Sequence, residues 1–596
     1  MSQPNNRRRD PGGLSGAVVL LWVGIALVVV VVASIYAAVQ IGHRIDGTGA
    51  EVPRDPFELF FGLLGGKVAW PAAGTWVLAG VAAVLVVIGV IVALALRSTR
   101  RRRSRVDSAA AYMGRGRDVE ALSRKNAVAT ARRLGVSQSP GVPIGRTVGG
   151  GQMLYGSWED LQIDISGPRT GKTTSRAVPA ILEAPGAVLV TSNKRDIVDA
   201  TRDVRATAGP VWVFDPQGIA LEEPSWWWNP LSYVTDEVRA ARMAEHFAAG
   251  SRDPGARTDA YFDPAGQDLL AGLLLAAALD RRPITDVYTW LTRPTDETAV
   301  DILREHDFRL TADQVAGVVS APEKQRGGIY GTAQQMAACL TNRAVARWVT
   351  PQSAPDQRPH FDPETFVRAG GTLYSLSKEG RGTAGPLVTA LTVAVVEAAE
   401  ELATRSPGGR LSTPLLGVLD EAANVCRWRE LPNLYSHYGS RGIVLMTILQ
   451  SWSQGVQVWG DSGMKKLWSA ANIKVYGGGV SEGAFLEDLS RMIGDYDRQA
   501  SSVSNARGQR TVSQQLHRER ILDVADLAAL PKGRAVVFAS GSRPTLIRTQ
   551  PWMTGPHADA VRASIAAHDP QASVTLVAAE RELTAVAGDQ ASKGLS

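Results

Sequence analysis

Ser166-Gly167-Pro168-Arg169-Thr170-Gly171-Lys172-Thr173-Thr174 stands between a short apolar run, 161–166, and a helical one, 177–182. A loop that holds phosphate needs small residues, so that backbone N–H groups can turn inward. It also needs a lysine for the β and γ charges, a hydroxyl for Mg²⁺ and a helix start whose dipole favours anions. All four parts are present. Gly167, Pro168, Arg169, Thr170, Gly171, Lys172, Thr173 and Thr174 form a candidate phosphate loop, in which Lys172 is the charge partner and Thr173 the hydroxyl for the metal. Ser166 departs from the usual pattern, which starts with glycine, but it is small and Gly167 follows it. The plainer alternative is an ordinary Gly/Lys turn.

Outward from this loop, strand-like runs alternate with helical ones: 161–166, 187–191, 211–214, 372–376, 415–419, 443–449, 473–476 and 535–539. Short apolar, β-rich runs separated by helices imply an α/β fold, a mostly parallel sheet covered on both faces. Between 235 and 352 no strand is expected, only helical runs such as 268–279 and 329–348, which reads as an all-α insertion. The polar segment 499–515 reads as a loop.

A second element supports the first. The run 415–419 ends in Asp420-Glu421, and a strand terminus delivers such acids to the ligand edge of a parallel sheet. Asp420 suits a Mg²⁺ shell, and Glu421 suits polarising the water that attacks a γ-phosphate. The next run ends in Gln450, placed to orient water or sense that phosphate. Taken alone, the acid pair is an ordinary helix start and Gln450 a surface polar group; Lys172 reverses that weighting.

Length and charge locate the chain. The 596 residues exceed one hydrophobic core, and Cys339 and Cys426 are too far apart for a disulfide framework or zinc ribbon. The eight histidines form no metal or triad pattern. The pI near 9.3 comes from the first 105 residues, with 12 basic against 5 acidic; the remainder has 52 against 53. Two apolar stretches, 17–38 and 76–96, are each long enough to cross a membrane. Arg7 to Arg9 precede the first, and Arg97, Arg100 to Arg103 and Arg105 follow or end the second, while the loop 41–74 is mildly acidic. Positive-inside logic places both termini in the cytoplasm.

The stretch 419–460, with Leu-Asp-Glu-Ala-Ala-Asn, Leu431-Pro432, Arg441-Gly442-Ile443 and Ile448-Leu449-Gln450-Ser451, resembles the TraG/TraD-like type IV coupling proteins of bacterial conjugation. Phe214-Asp215-Pro216, Trp228-Asn229-Pro230-Leu231, 489–494 and Leu530-Pro531-Lys532-Gly533-Arg534 agree, so the resemblance spans about 146–552 and extends to the two apolar helices. It implies a RecA-like P-loop ATPase with an inserted all-α domain, preceded by two transmembrane helices and anchored in the cytoplasmic membrane of a bacterium. The family's cofactors are ATP and Mg²⁺. Its partners are single-stranded DNA with bound relaxase, the type IV secretion channel and further copies of itself in a hexamer. An arginine from one subunit reaches the neighbour's γ-phosphate in such rings; Arg441 lies near that place, with Arg343 and Arg347 as alternates.

The domains expected are a membrane region 1–105, a linker 106–145, a nucleotide-binding domain in two parts, 146–234 and 353–555, the insertion 235–352 and a tail 556–596. Lys378 and Arg381 after one strand, and Lys465 and Lys466 near Trp452, Trp459 and Trp468, are candidates for a single strand. A solvated face over a tryptophan core is the plainer alternative for them. Two other readings share the same loop: a motor for protein secretion or double-stranded DNA, and a nucleotide-binding receptor without turnover. Glu421 argues against the receptor, which needs no water-polarising acid.

Overall fold

The structure, a computed structural model, describes residues 16–48, 52–53, 55–100, 104–251, 259–380, 382–506, 509–591. It divides into two compact units, one within 1–108, 495–521 and 589–596, the other comprising 109–494 and 522–588.

The first unit contains the apolar helices. They run Gly16–Asp46 and Ala72–Arg100, longer than the apolar stretches within them, and a short helix, Pro56–Leu64, occupies part of the connection. The intervening loop is therefore shorter than 41–74. Asp55 caps the short helix by accepting the Phe57 amide at 2.7 Å. Both long helices carry apolar side chains on exposed faces, Trp22, Val28, Val86 and Trp76 among them. Such a continuous apolar surface suits hydrocarbon and not water. They approach through small residues: a Cβ on Gly42 would lie 2.7 Å from the Gly74 nitrogen, so glycine permits the crossing. Arg7 to Arg9 and Arg101 to Arg103 lie outside the described residues.

The same unit includes a hairpin, β10 (Asp495–Ala506) with β11 (Gln509–Arg520), paired antiparallel from Asp495↔Arg520 to Ala506↔Gln509. The expected loop 499–515 is thus corrected to a ribbon. Its polar sequence has no apolar alternation to announce a strand, and the pairing is between its own two halves.

The second unit is built on an eleven-stranded sheet. In chain order the strands are β1 (Val142–Thr147), β2 (Met153–Gly156), β3 (Gln162–Ile165), β4 (Val188–Ser192), β5 (Val211–Phe214), β6 (Thr372–Leu376), β7 (Leu415–Leu419), β8 (Ile443–Leu449), β9 (Ile473–Tyr476), β12 (Arg534–Ala539) and β13 (Thr545–Arg548). The spatial order is β2-β1-β13-β12-β9-β3-β8-β7-β4-β6-β5. From β9 to β5 every pairing is parallel; β12, β13, β1 and β2 continue the sheet antiparallel. All eight expected strands are present. Those not anticipated, β1, β2 and β13, lie in the antiparallel extension; β2 and β13 have only four residues each, and β1 is interrupted by Pro143, Gly145 and Arg146.

Burial on both faces explains why the parallel strands are mostly apolar. Val188, Val190, Leu416, Val418, Val444 and Met446 pack in one cluster with Val178, Ile181, Ile197, Val198, Val561 and Ile565 of three helices. The helices Gly385–Arg405 and Leu431–Tyr438 also pack on the sheet, Tyr435 bonding Thr447 Oγ1 at 3.1 Å. The stretch 556–596, expected as a tail, instead forms the helices Ala558–His568 and Ala572–Ala591, with Leu576, Ala579 and Leu583 against this same core.

Between Glu237 and Val349 the described residues form helices only. The run 329–348 is not one helix: Glu323–Met336 ends, a 3₁₀ turn follows, and Arg343–Val349 restarts under an Asn342 cap. An aromatic cluster joins this segment to the sheet, with Trp348 5.5 Å from Trp226 and 5.7 Å from Phe214, ring to ring. Phe262–Leu279 is apolar and long enough to span a bilayer, but half of it is buried by neighbouring helices, as a core helix is.

Behind the phosphate loop, Arg176 is buried and donates to Asp164 at 2.6 Å, Gln162 Oε1 at 2.7 Å and the Pro143 carbonyl at 2.5 Å. Arg176→Ala leaves the Asp164 carboxylate buried without its cation and should cost about 3–5 kcal/mol. Chemical denaturation of the full chain in detergent should show the lower midpoint, and Arg176→Met combined with Asp164→Leu should recover most of it.

Candidate functional site

Five adjacent strands end on one edge, and the chemistry follows them in order. The phosphate loop leaves β3, Gln450 follows β8, Asp420 and Glu421 follow β7, Asn193 follows β4, and Glu379 comes three residues after β6. Since neighbouring strands lie about 4.8 Å apart, groups from β3 and β7 meet across β8 only through long side chains.

The phosphate loop is shaped by backbone signs. Arg169 and Gly171 take positive φ, 60° and 84°, and Thr170 Oγ1 donates to the Gly167 carbonyl at 2.8 Å. Alternating backbone signs of this kind turn successive N–H groups to one side. Lys172 has helical dihedrals, and the chain continues as a π-turn, Thr173–Ala177, into the helix Val178–Glu183. Glycine is required at 167 more than at 166: a Cβ on Gly167 would meet the Gly479 carbonyl oxygen at 2.0 Å, whereas Ser166 is already accommodated. That explains the departure from the usual pattern.

Glu421 has left-handed dihedrals, φ 55° and ψ 41°, which turn its side chain back over the strand end. Its Oε1 pairs with Lys172 Nζ, and Gln450 Nε2 donates to both of its oxygens at 2.7 and 2.8 Å. Lys172 Nζ lies 3.8 Å from Asp420 Oδ1. Asp420 is buried, and Oδ1 has no hydrogen-bond partner among the described residues. Burial pushes the Asp420 carboxyl up to about 7; Lys172 opposes the shift and Glu421 adds to it. An orphaned carboxylate oxygen that needs further positive charge fits a divalent cation.

Lys172, Asp420, Glu421 and Gln450 are therefore brought together. Arg441 is not. It precedes β8 at the end opposite Gln450, about 20 Å away along the strand, and pairs with Glu400. Lys378 is exposed, and Arg381 lies outside the described residues. Lys465 pairs with Asp461 at 2.6 Å and Lys466 with Asn433 at 2.7 Å. Trp452 stacks on Phe485 at 5.2 Å, Trp468 packs edge-on against both, and Trp459 Nε1 donates to the Trp428 carbonyl. These tryptophans fit the packed-core alternative better than an open stacking platform.

No motif in the sequence marks the wall that the C-terminal segment forms opposite the loop. A cleft of about 470 Å³ is lined by Arg169, Lys172, Thr173, Lys194, Lys532 and Arg581 among others. The C-terminal helix also contributes Glu582, whose Oε1 is 3.3 Å from Thr174 Oγ1 and 3.7 Å from Lys532 Nζ. Its apolar positions 576, 579 and 583, at helical spacing, are the signal that this segment packs.

Residues 414–532 match the family model described as the TraM recognition site of TraD and TraG, which bears out the TraG/TraD-like resemblance. No curated protein matches the chain. Among solved structures, the bacterial conjugative coupling protein TrwBdeltaN70 in its trigonal form with sulphate is 16% identical over 71% of this chain and 92% of its own, with a TM-score of 0.51. Its unbound monoclinic form is 17% identical over 71% and 91%, with a TM-score of 0.49. VirB4 of Thermoanaerobacter pseudethanolicus is 13% identical over 70% and 97%, with a TM-score of 0.42. The likeness to the trigonal form is one of fold, an α/β core on a mostly parallel sheet.

The buried charges make stability depend on Lys172. Lys172→Ala removes the cation from two buried carboxylates and should cost on the order of 3 kcal/mol near neutral pH. A carboxyl whose folded pKa is raised contributes stability at low pH that is lost as pH rises through that pKa. The melting deficit of the variant should therefore shrink towards pH 6 and widen towards pH 9, and adding Glu421→Gln should reduce it.

Proposed function

We propose that this chain is a membrane-anchored coupling ATPase that recruits a relaxase bound to single-stranded DNA and uses ATP hydrolysis to deliver it to a type IV secretion channel. The observation that carries the reading is the convergence of Lys172, Asp420, Glu421 and Gln450 at the carboxyl edge of the sheet. The match over 414–532 supports the choice of coupling protein over other motors with the same loop. Its description also suggests a partner-recognition role for part of that segment. The two apolar helices and their flanking arginines support a cytoplasmic-membrane anchor with both termini in the cytoplasm.

The chemistry starts from a closed pair. Lys172 neutralises Glu421. Triphosphate in the loop offers Lys172 a stronger anionic partner, and its ammonium shifts to the β and γ oxygens. Glu421 is then released as a carboxylate able to orient and polarise the attacking water, while Gln450 keeps hold of it. Thr173 and Asp420 would hold Mg²⁺, which when bound screens the phosphate charge. Loop amides from 169 to 173 would bind the remaining oxygens, since Pro168 has no N–H and the Gly167 N–H donates to the Gly478 carbonyl at 2.9 Å.

ATP turnover by the full chain in detergent or nanodiscs, with and without DNA, tests this reading. Single-stranded DNA should stimulate turnover more than duplex; the reverse would point to a double-stranded DNA translocase, and stimulation by neither to a protein-secretion motor. Glu421→Gln should bind ATP and hydrolyse it at a few per cent of the wild-type rate or less, because the water loses its base while the metal site remains. Unchanged turnover would move that role to another residue.

Arg441, remote from its own site, fits a role in a neighbour's site within a ring. Arg441→Ala should leave nucleotide affinity intact and lower turnover by roughly 10³-fold, as in-trans arginines do in related phosphoryl transfer. Mixtures with Glu421→Gln should partly recover activity, since some interfaces then pair an intact Glu421 with an intact Arg441. Co-assembled mixtures without recovery would assign Arg441 to its Glu400 pair and redirect the search to Arg343 and Arg347.

A further inference from the structure

Beyond the groups already placed around the phosphate loop, a line of hydrogen bonds continues along the same edge. Glu379 Oε1 accepts from Asn193 Nδ2 at 2.7 Å and from Asn424 Nδ2 at 2.9 Å. Asn424 Nδ2 also lies 3.4 Å from Glu421 Oε2. We infer that Glu379, acting through Asn424, is a positioning residue for Glu421. The inference rests on the ATPase reading for its consequence in turnover, though not for its geometry.

Three features support it. First, an ionised carboxylate can only accept, so both asparagines must present their amide nitrogens to Glu379, and this sets the orientation of each amide. Asn193 meets that demand at a cost: its Oδ1 is buried without a partner among the described residues. A buried acceptor left unpaired is disfavoured, so the contact with Glu379 is held against that cost.

Second, the loop that presents Glu379 is braced. Gln217, following β5, accepts through Oε1 from Ser377 Oγ at 3.0 Å, Lys378 N at 2.9 Å and Ala384 N at 3.3 Å. Both ends of the loop are tied to one side chain, while Glu379 itself is exposed near its tip. A carboxylate there can act on the asparagines without being buried itself.

Third, Glu421 needs this support when Lys172 leaves it. Its backbone is left-handed, a conformation held by its surroundings. Once Lys172 turns to phosphate, Gln450 and Asn424 are the donors that remain on the carboxylate among the contacts described. The Asn424 amide also sits one helical turn after Glu421, in Ala422–Val425, where its backbone N–H bonds the Glu421 carbonyl at 2.8 Å. Rotation of the Asn424 side chain would therefore release Glu421 on one side, and Glu379 prevents that rotation.

The test compares Glu379→Ala, Glu379→Gln and Asn424→Ala in the full chain. Glu379→Ala and Asn424→Ala should each lower kcat about 10-fold or more with KM and ATP affinity within about twofold, since misplacing a reacting group affects the chemical step and not binding. Glu379→Gln retains an oxygen acceptor for Asn424 and should keep most of the activity. The double alanine variant should be no worse than the poorer single, because both act through one contact. Glu379→Ala with wild-type kcat, or Glu379→Gln as damaging as Glu379→Ala, would overturn the inference. If the wild type hydrolyses no more ATP than Lys172→Ala, the ATPase reading fails instead. The relay is then judged by hydrogen exchange of the amides at 422–425, which should quicken in Glu379→Ala and not in Glu379→Gln; equal exchange in all three proteins would overturn it.

Discussion

Two carboxylates lie side by side at the end of β7, and the chain tolerates them there because a lysine arrives from two strands away. Asp420 and Glu421 are both buried, and an uncompensated buried charge costs several kcal/mol. Lys172 meets Glu421 from the loop after β3, and Gln450 from the intervening β8 closes both carboxylate oxygens. The sheet order β3-β8-β7 is what makes this possible.

The same constraint shapes the loop itself. Gly167 packs against the backbone of Gly479, from the segment after β9, at a distance no side chain allows. β9 is the other neighbour of β3, so the phosphate loop is confined from one side by glycines and from the other by the charge cluster. Its dihedrals are therefore set by neighbouring strand ends as much as by its own residues. The aromatic cluster of Phe214, Trp226 and Trp348 has a comparable role at the root of the helical segment, where a long excursion must leave the sheet and return without disturbing β5 and β6.

Legibility followed burial. The parallel strands β3 to β9 are rich in apolar residues, and even the polar Gln162 and Asp164 of β3 are buried, so these strands are visible in the sequence as short β-rich runs. β1, β2 and β13 carry Pro143, Gly145, Arg146, Gly156 and Arg548, and their pairing could not be read from composition. The hairpin 495–520 left no apolar signal because its two strands pair with each other. The C-terminal helices were hidden by an alanine-rich, mildly polar sequence. Their placement became visible only once Val561, Ile565 and Leu576 met the core. Within the site, Lys172, Asp420, Glu421 and Gln450 were legible because each sits at a strand end, where a parallel sheet puts ligands.

The sequence by itself determined the parts: a candidate phosphate loop with a lysine and a hydroxyl, two acids and a glutamine at strand ends, and two apolar stretches long enough to cross a membrane. These are local properties, set by residue type and spacing along the chain. Tertiary structure alone decided who meets whom. It set β8 between β3 and β7, turned Glu421 left-handed towards Lys172, carried Arg441 to the opposite end of its strand, and drew Asn193, Glu379 and Glu582 to the same edge. Those contacts join residues up to four hundred positions apart. No local pattern encodes them, because strand order is chosen by the packing of the whole sheet.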